Sequence, residues 1–68
     1  MTTRKEQQTI VIAGQVADYA CEYDCTLIES LEDWEGYGPG GSFGLTLEDK
    51  QAVTKVLQGR GLSMFELF

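Results

Sequence analysis

The run from Thr9 to Trp34 constrains this chain more than any other stretch. Ile12, Val16, Ala20, Tyr23, Leu27, Leu31 and Trp34 recur at the spacing of one helix face, so this side is built for packing. On the opposite side Asp18, Glu22, Glu29 and Asp33 fall within roughly 60° of one another if the helix is unbroken. Glu32 and Glu35 extend that acidic side. One face is made for a core, and the other for water or for a partner that seeks negative charge.

The middle of the run, Asp18 to Thr26, is rich in weak helix formers. Two outcomes fit it. A bend near Asp24 would let Thr26 cap a second helix ending at about Glu35. Alternatively, one helix of about thirty residues would reach about 45 Å, against a radius of gyration of about 11 Å for a domain of this length. That helix would overhang its own domain and call for a second protomer. A chain of 68 residues buries only about 60% of its unfolded surface, and such domains often self-associate. The expectation is a homodimer through Ile12, Val16 and Tyr23.

Helix starts are announced by Ser/Thr-x-x-Asp/Glu, where hydroxyl and carboxylate cap backbone donors. The pattern occurs at Thr3/Glu6, Thr26/Glu29, Ser30/Asp33, Thr46/Asp49 and Ser63/Glu66. Ser30 lies inside a periodic run and reads as a coincidence. Thr3 opens the first helix. Thr9 to Ile12 is β-branched throughout and suits a strand as well, but no partner strand follows, so helix is preferred. Gly14 costs about 1 kcal/mol in a helix interior, which suggests close approach by another helix.

Gly36 to Gly44 holds five glycines and the only proline, the clearest break in the chain. It reads as a flexible connector that folds Trp34, Tyr37 and Phe43 onto the core. Thr46 then caps a helix from Leu47 to about Gln58. Glu48 and Asp49 begin it and Lys55 lies near its end, as the helix dipole favours. Ala52, Val53, Val56 and Leu57 form its buried side, Gly59 and Gly61 suit its C-cap, and Ser63 caps a short C-terminal turn, Met64 to Phe68. The fold class is all-α: a single domain, residues 1–68, built as a small bundle of about three helices.

Chemistry has few footholds. Eleven acidic against five basic residues give a net charge of −6, and phosphate neutralisation needs Lys and Arg, so direct nucleic-acid binding is disfavoured. The chain has no histidine, the usual general base near neutral pH, and Cys21 as a nucleophile would sit among Asp18, Glu22 and Asp24. Cys21 and Cys25 make a poor zinc set without further Cys or His and read as partly buried thiols. The glycine loop lacks the Gly-Lys-Ser/Thr ending of a P-loop. No enzyme, metal or cofactor is expected. No membrane span is expected either, and Met1 to Glu6 leads into no signal-peptide core, so the expected setting is cytoplasmic.

The acidic side remains. Its spacing resembles phosphates along a groove, and in size, charge and helicity the chain is similar to small phage-encoded proteins that mimic DNA and block nucleic-acid enzymes. That resemblance implies a non-catalytic inhibitor or regulator of a basic or nucleic-acid-binding protein, engaged by Asp18, Glu22, Glu29, Glu32, Asp33 and Glu35. The alternative surface is Met64 to Phe68. It resembles the short peptide by which bacterial proteins dock on the DNA sliding clamp: Phe65, Leu67 and Phe68 match by type, with Met64 in place of the usual glutamine. The runner-up from another class is a structural or assembly subunit that mainly associates with itself.

Overall fold

The computed structural model describes residues 3–41 and 43–65. Three helices form: α1 (Arg4–Glu22), α2 (Leu27–Glu32) and α3 (Leu47–Gly59). Each begins at a threonine with an acid three residues on. Thr3 Oγ1 accepts the Glu6 N–H at 3.1 Å, Thr26 Oγ1 that of Glu29 at 3.2 Å, and Thr46 Oγ1 that of Asp49 at 3.1 Å. These caps satisfy donors that a helix start otherwise leaves unpaired. Ser30 caps nothing; its buried Oγ donates to the Val16 carbonyl at 2.7 Å and ties α2 to α1. Thr9 to Ile12 is helical, and no strand forms among the described residues. Ser63 Oγ accepts the Phe65 N–H at 3.4 Å, while Glu66, Leu67 and Phe68 lie outside the described residues.

The long helix breaks where its weak formers cluster. Tyr23 is the C-cap of α1, Asp24 takes φ +51°, and the Cys25 N–H reaches back to the Ala20 carbonyl at 3.1 Å. A left-handed residue followed by this backward bond is how helices commonly terminate, and aspartate tolerates the conformation better than most residues. The chain then doubles back, Cys25 beside Ala20 and Ser30 beside Val16. The outcome is compact: the radius of gyration is 11.1 Å and the longest dimension 31 Å, too short for an unbroken helix of about 45 Å.

α1 is the element on which α2 and α3 both pack. The core joins Ile12, Ala13, Val16 and Ala20 of α1 with Leu27 and Leu31 of α2, Val53 and Leu57 of α3, and Met64. Ala52 and Val56 are only half-buried, while Asp49 of the same helix is buried. Two stripe residues depart from expectation: Tyr23 is exposed and Trp34 is half-buried. Ile12 and Val16 are 0% exposed within one chain, so two of the three residues expected at a homodimer face lie in the chain's own core.

α3 ends in a complete Schellman motif. Gly61 takes φ +81°, its N–H bonds to the Gln58 carbonyl at 2.9 Å, and the Leu62 N–H bonds to Leu57 at 3.2 Å. No basic residue stands in the last turn of α3, Lys55 lying one turn earlier. The segment beyond then returns to α2, where the Met64 carbonyl accepts the Ile28 N–H at 2.9 Å. That donor is one the α2 start leaves unpaired, so a residue remote in sequence completes the cap.

Gly14 is not a close-approach position, because a Cβ built there meets nothing within 4 Å. Gly14→Ala should therefore stabilise the protein by about 0.5–1 kcal/mol through helix propensity alone. A higher urea midpoint at unchanged slope is the expected observation, and a lower one would reveal a neighbour over this face.

The glycine loop is more ordered than its composition suggests. The Gly44 N–H bonds to the Gly36 carbonyl at 3.0 Å and the Gly41 N–H to the Gly38 carbonyl at 2.9 Å. Tyr37 bridges to Phe43 and Gly44, and the Tyr37 and Phe43 rings meet edge-on at 6.1 Å. Of the three aromatic residues expected on the core, Trp34 packs against it, while Tyr37 and Phe43 stay exposed and contact each other. Two loop glycines are crowded: a Cβ at Gly36 would lie 2.6 Å from the Trp34 ring, and one at Gly38 would lie 2.9 Å from the Gly44 carbonyl oxygen and 3.2 Å from Asp49 Oδ2. Gly38→Ala should cost about 1–3 kcal/mol in backbone displacement, whereas Gly40→Ala, with nothing within 4 Å, should be close to neutral. Thermal melts of the two variants side by side check this.

Candidate protein-binding site

Asp18, Glu22, Glu29, Glu32, Asp33 and Glu35 are all exposed. The break at Asp24 divides them. Asp18 and Glu22 lie toward the end of α1, Glu29 and Glu32 on α2, Asp33 at its C-cap and Glu35 just beyond. The single straight row expected from an unbroken helix does not form, and in its place stand two short acidic groups on helices that fold back on each other.

Electrostatically this is an unfavourable place for acids. Helix C-termini carry partial negative charge, so a carboxylate there costs about 0.3–1 kcal/mol where exposed. Yet Glu22 ends α1, Glu32 ends α2, Asp33 follows, and neither last turn holds a basic residue. One of the six is neutralised locally: Glu32 Oε2 pairs with Lys50 Nζ at 2.9 Å, a surface pair worth about 0–1 kcal/mol.

Beyond the end of α2, Tyr19, Asp33, Trp34 and Glu35 line an open cleft of about 650 Å³. The Tyr19 phenol is pushed above its ordinary 10.0, first by partial desolvation and then by the Asp33 carboxylate, with smaller effects from Tyr23, Cys25 and Glu35. The Trp34 indole Nε1–H is buried with no acceptor among the described residues.

A second concavity, about 590 Å³, runs between α2, α3 and the segment after α3. Ile28, Leu31, Leu62 and Met64 supply its apolar surface, Lys50 and Lys55 stand on its α3 side, and Leu47 and Phe65 contribute exposed apolar side chains. The sequence reading missed this groove. Its trace in the chain is the α3 face Leu47, Lys50, Gln51, Thr54, Lys55 and Gln58, whose spacing is helical but whose polarity is mixed. Compared with protein-family models, with curated proteins and with solved structures, the chain matches none. The site must therefore be read from its own chemistry.

The remaining candidates fall as follows. Cys21 and Cys25 are free; Cys21 is exposed on α1 and Cys25 lies beyond the helix end, half-buried against the core. Of the two free thiols expected to be partly buried, Cys25 is and Cys21 stands in solvent. In the C-terminal peptide, Met64 points inward at 5% exposure and Phe65 is 76% exposed. Leu67 and Phe68 lie outside the described residues. Met64 is thereby withdrawn from any docking peptide, which would have to begin at Phe65. No helix among the described residues is long and apolar enough to cross a membrane.

Proposed function

We propose that this protein is a non-catalytic binding module that engages, and regulates by occupying, a basic partner such as a nucleic-acid-binding protein. Asp18, Glu22, Glu29, Asp33 and Glu35 carry the contact, with Glu32 at their edge. One observation supports this above the others. The acids sit at the negative ends of α1 and α2 with no cation in either last turn. A surface selected for stability alone would place lysine or arginine there.

Binding of this kind predicts a definite salt and charge dependence. A basic partner captured from lysate at low salt should be released as salt rises to several hundred millimolar, because exposed charge pairs are screened. Glu22→Lys combined with Glu29→Lys should reduce capture at least tenfold. Both side chains face solvent, so helicity by circular dichroism should be unchanged. Salt-insensitive capture by the folded double variant would overturn the reading.

A further inference from the structure

We propose that the groove between α2 and α3 receives a short amphipathic helix from a partner protein, with carboxylates on the flank that faces Lys50 and Lys55. This surface shares only Glu32 with the acidic groups and does not rest on the role proposed for them.

Shape and length come first. The floor is apolar, formed by Ile28, Leu31, Leu62 and Met64, and Leu47 and Phe65 are 73% and 76% exposed. Large apolar side chains left in water around an apolar trough are what a docked partner covers. Along α3 the groove runs from Leu47 to Gln58, about three helical turns or roughly 17 Å. A helix of that length offers apolar anchors at i, i+3 or i+4, and i+7, the usual way an amphipathic helix fills a groove.

Charge selects the flank. The whole chain has only five basic residues and a net charge of −6, yet two of the five line this groove. Lys50 already bonds Glu32 across it at 2.9 Å, so the groove has a basic α3 side and an acidic α2 side. A helix with carboxylates toward α3 and neutral or basic residues toward α2 complements both. The acidic groups elsewhere do not override this choice, since screening at physiological salt confines exposed charges to about 8 Å.

The test selects random twelve-residue peptides by display against the folded full-length chain, then measures the enriched peptides on variants. Enriched peptides should share apolar residues at helical spacing and Asp or Glu on one flank. Their affinity should fall at least tenfold with Lys55→Glu and with Leu47→Asp, both exposed positions, and should hold with Glu29→Lys. Circular dichroism of each variant should match wild type. Four results would each overturn the proposal. One is no enrichment, and another is basic peptides that respond to Glu29→Lys but not to Lys55→Glu. A third is a wild-type dimer that Leu47→Asp dissociates, which assigns the groove to a second copy. The fourth is peptides that bind only after Leu67→Asp and Phe68→Asp, which assigns it to the chain's own C-terminal residues.

Discussion

Leu27→Ala is expected to destabilise the protein severely, whereas Leu47→Ala is expected to leave it intact. The two leucines occupy the same local context, each the first helical residue after a capping threonine. Their burial is opposite: Leu27 is 0% exposed and Leu47 is 73% exposed. Truncating a buried leucine removes transfer free energy and leaves a cavity, at about 2–5 kcal/mol. A domain of this length has roughly 3–10 kcal/mol of total stability at the usual stability per residue, so one such loss removes a large share of it. Leu47 has little burial to lose, and its replacement should change stability by less than about 0.5 kcal/mol. Urea titration followed by the single tryptophan, Trp34, and by far-ultraviolet circular dichroism reads both variants. A Leu27→Ala protein within about 1 kcal/mol of wild type would mean that α2 is not seated in the core as described.

Met64→Ala should produce the second large loss, about 2–4 kcal/mol, and Phe65→Ala almost none. Met64 has 5% of its surface exposed and belongs to the core, whereas its neighbour Phe65 is 76% exposed. The Met64 carbonyl also holds the Ile28 N–H at 2.9 Å. Losing the side chain therefore loosens the start of α2 as well as leaving a void. Hydrogen exchange should show this: faster exchange at Ile28 in Met64→Ala and unchanged exchange in Phe65→Ala. Equal losses in the two variants would contradict the opposed burial of these neighbours. The pair also separates structure from binding, because Phe65→Ala can be assayed for lost partner contacts without unfolding the chain.

The acidic surface shows how exposure can be legible in a sequence while the arrangement of the exposed groups is not. All six acids are exposed, as their spacing opposite the apolar stripe implied. Their common line depended on the helix continuing through Asp24. Once Asp24 takes φ +51° and Cys25 bonds back to Ala20, helical periodicity no longer relates Asp18 and Glu22 to Asp33. The straight row of carboxylates therefore loses its geometric basis, and two short acidic groups stand in its place. Ile12 and Val16, expected at a dimer face, are covered within the chain while Tyr23 stays exposed, because periodicity marks which side must be buried, not whether its cover comes from the same chain.

Local chemistry was legible in the residues themselves. Three threonine caps, the left-handed ending of α3 at Gly61 and the buried stripe of α1 follow from interactions within about five residues, which a linear string displays. What required the folded chain was everything set by contacts between distant residues. The Ser30 hydroxyl bonds the Val16 carbonyl across two helices, the Met64 carbonyl completes the start of α2, and Gly38 lies against Gly44 and Asp49. The same holds for Leu27 and Leu47, alike in their neighbours and opposite in burial. Capping and dipole energies decide where a helix begins, but the cover for each apolar face is decided by which segments the turns bring together. The groove between α2 and α3 exists only after that choice, because its walls come from three segments that share no local pattern.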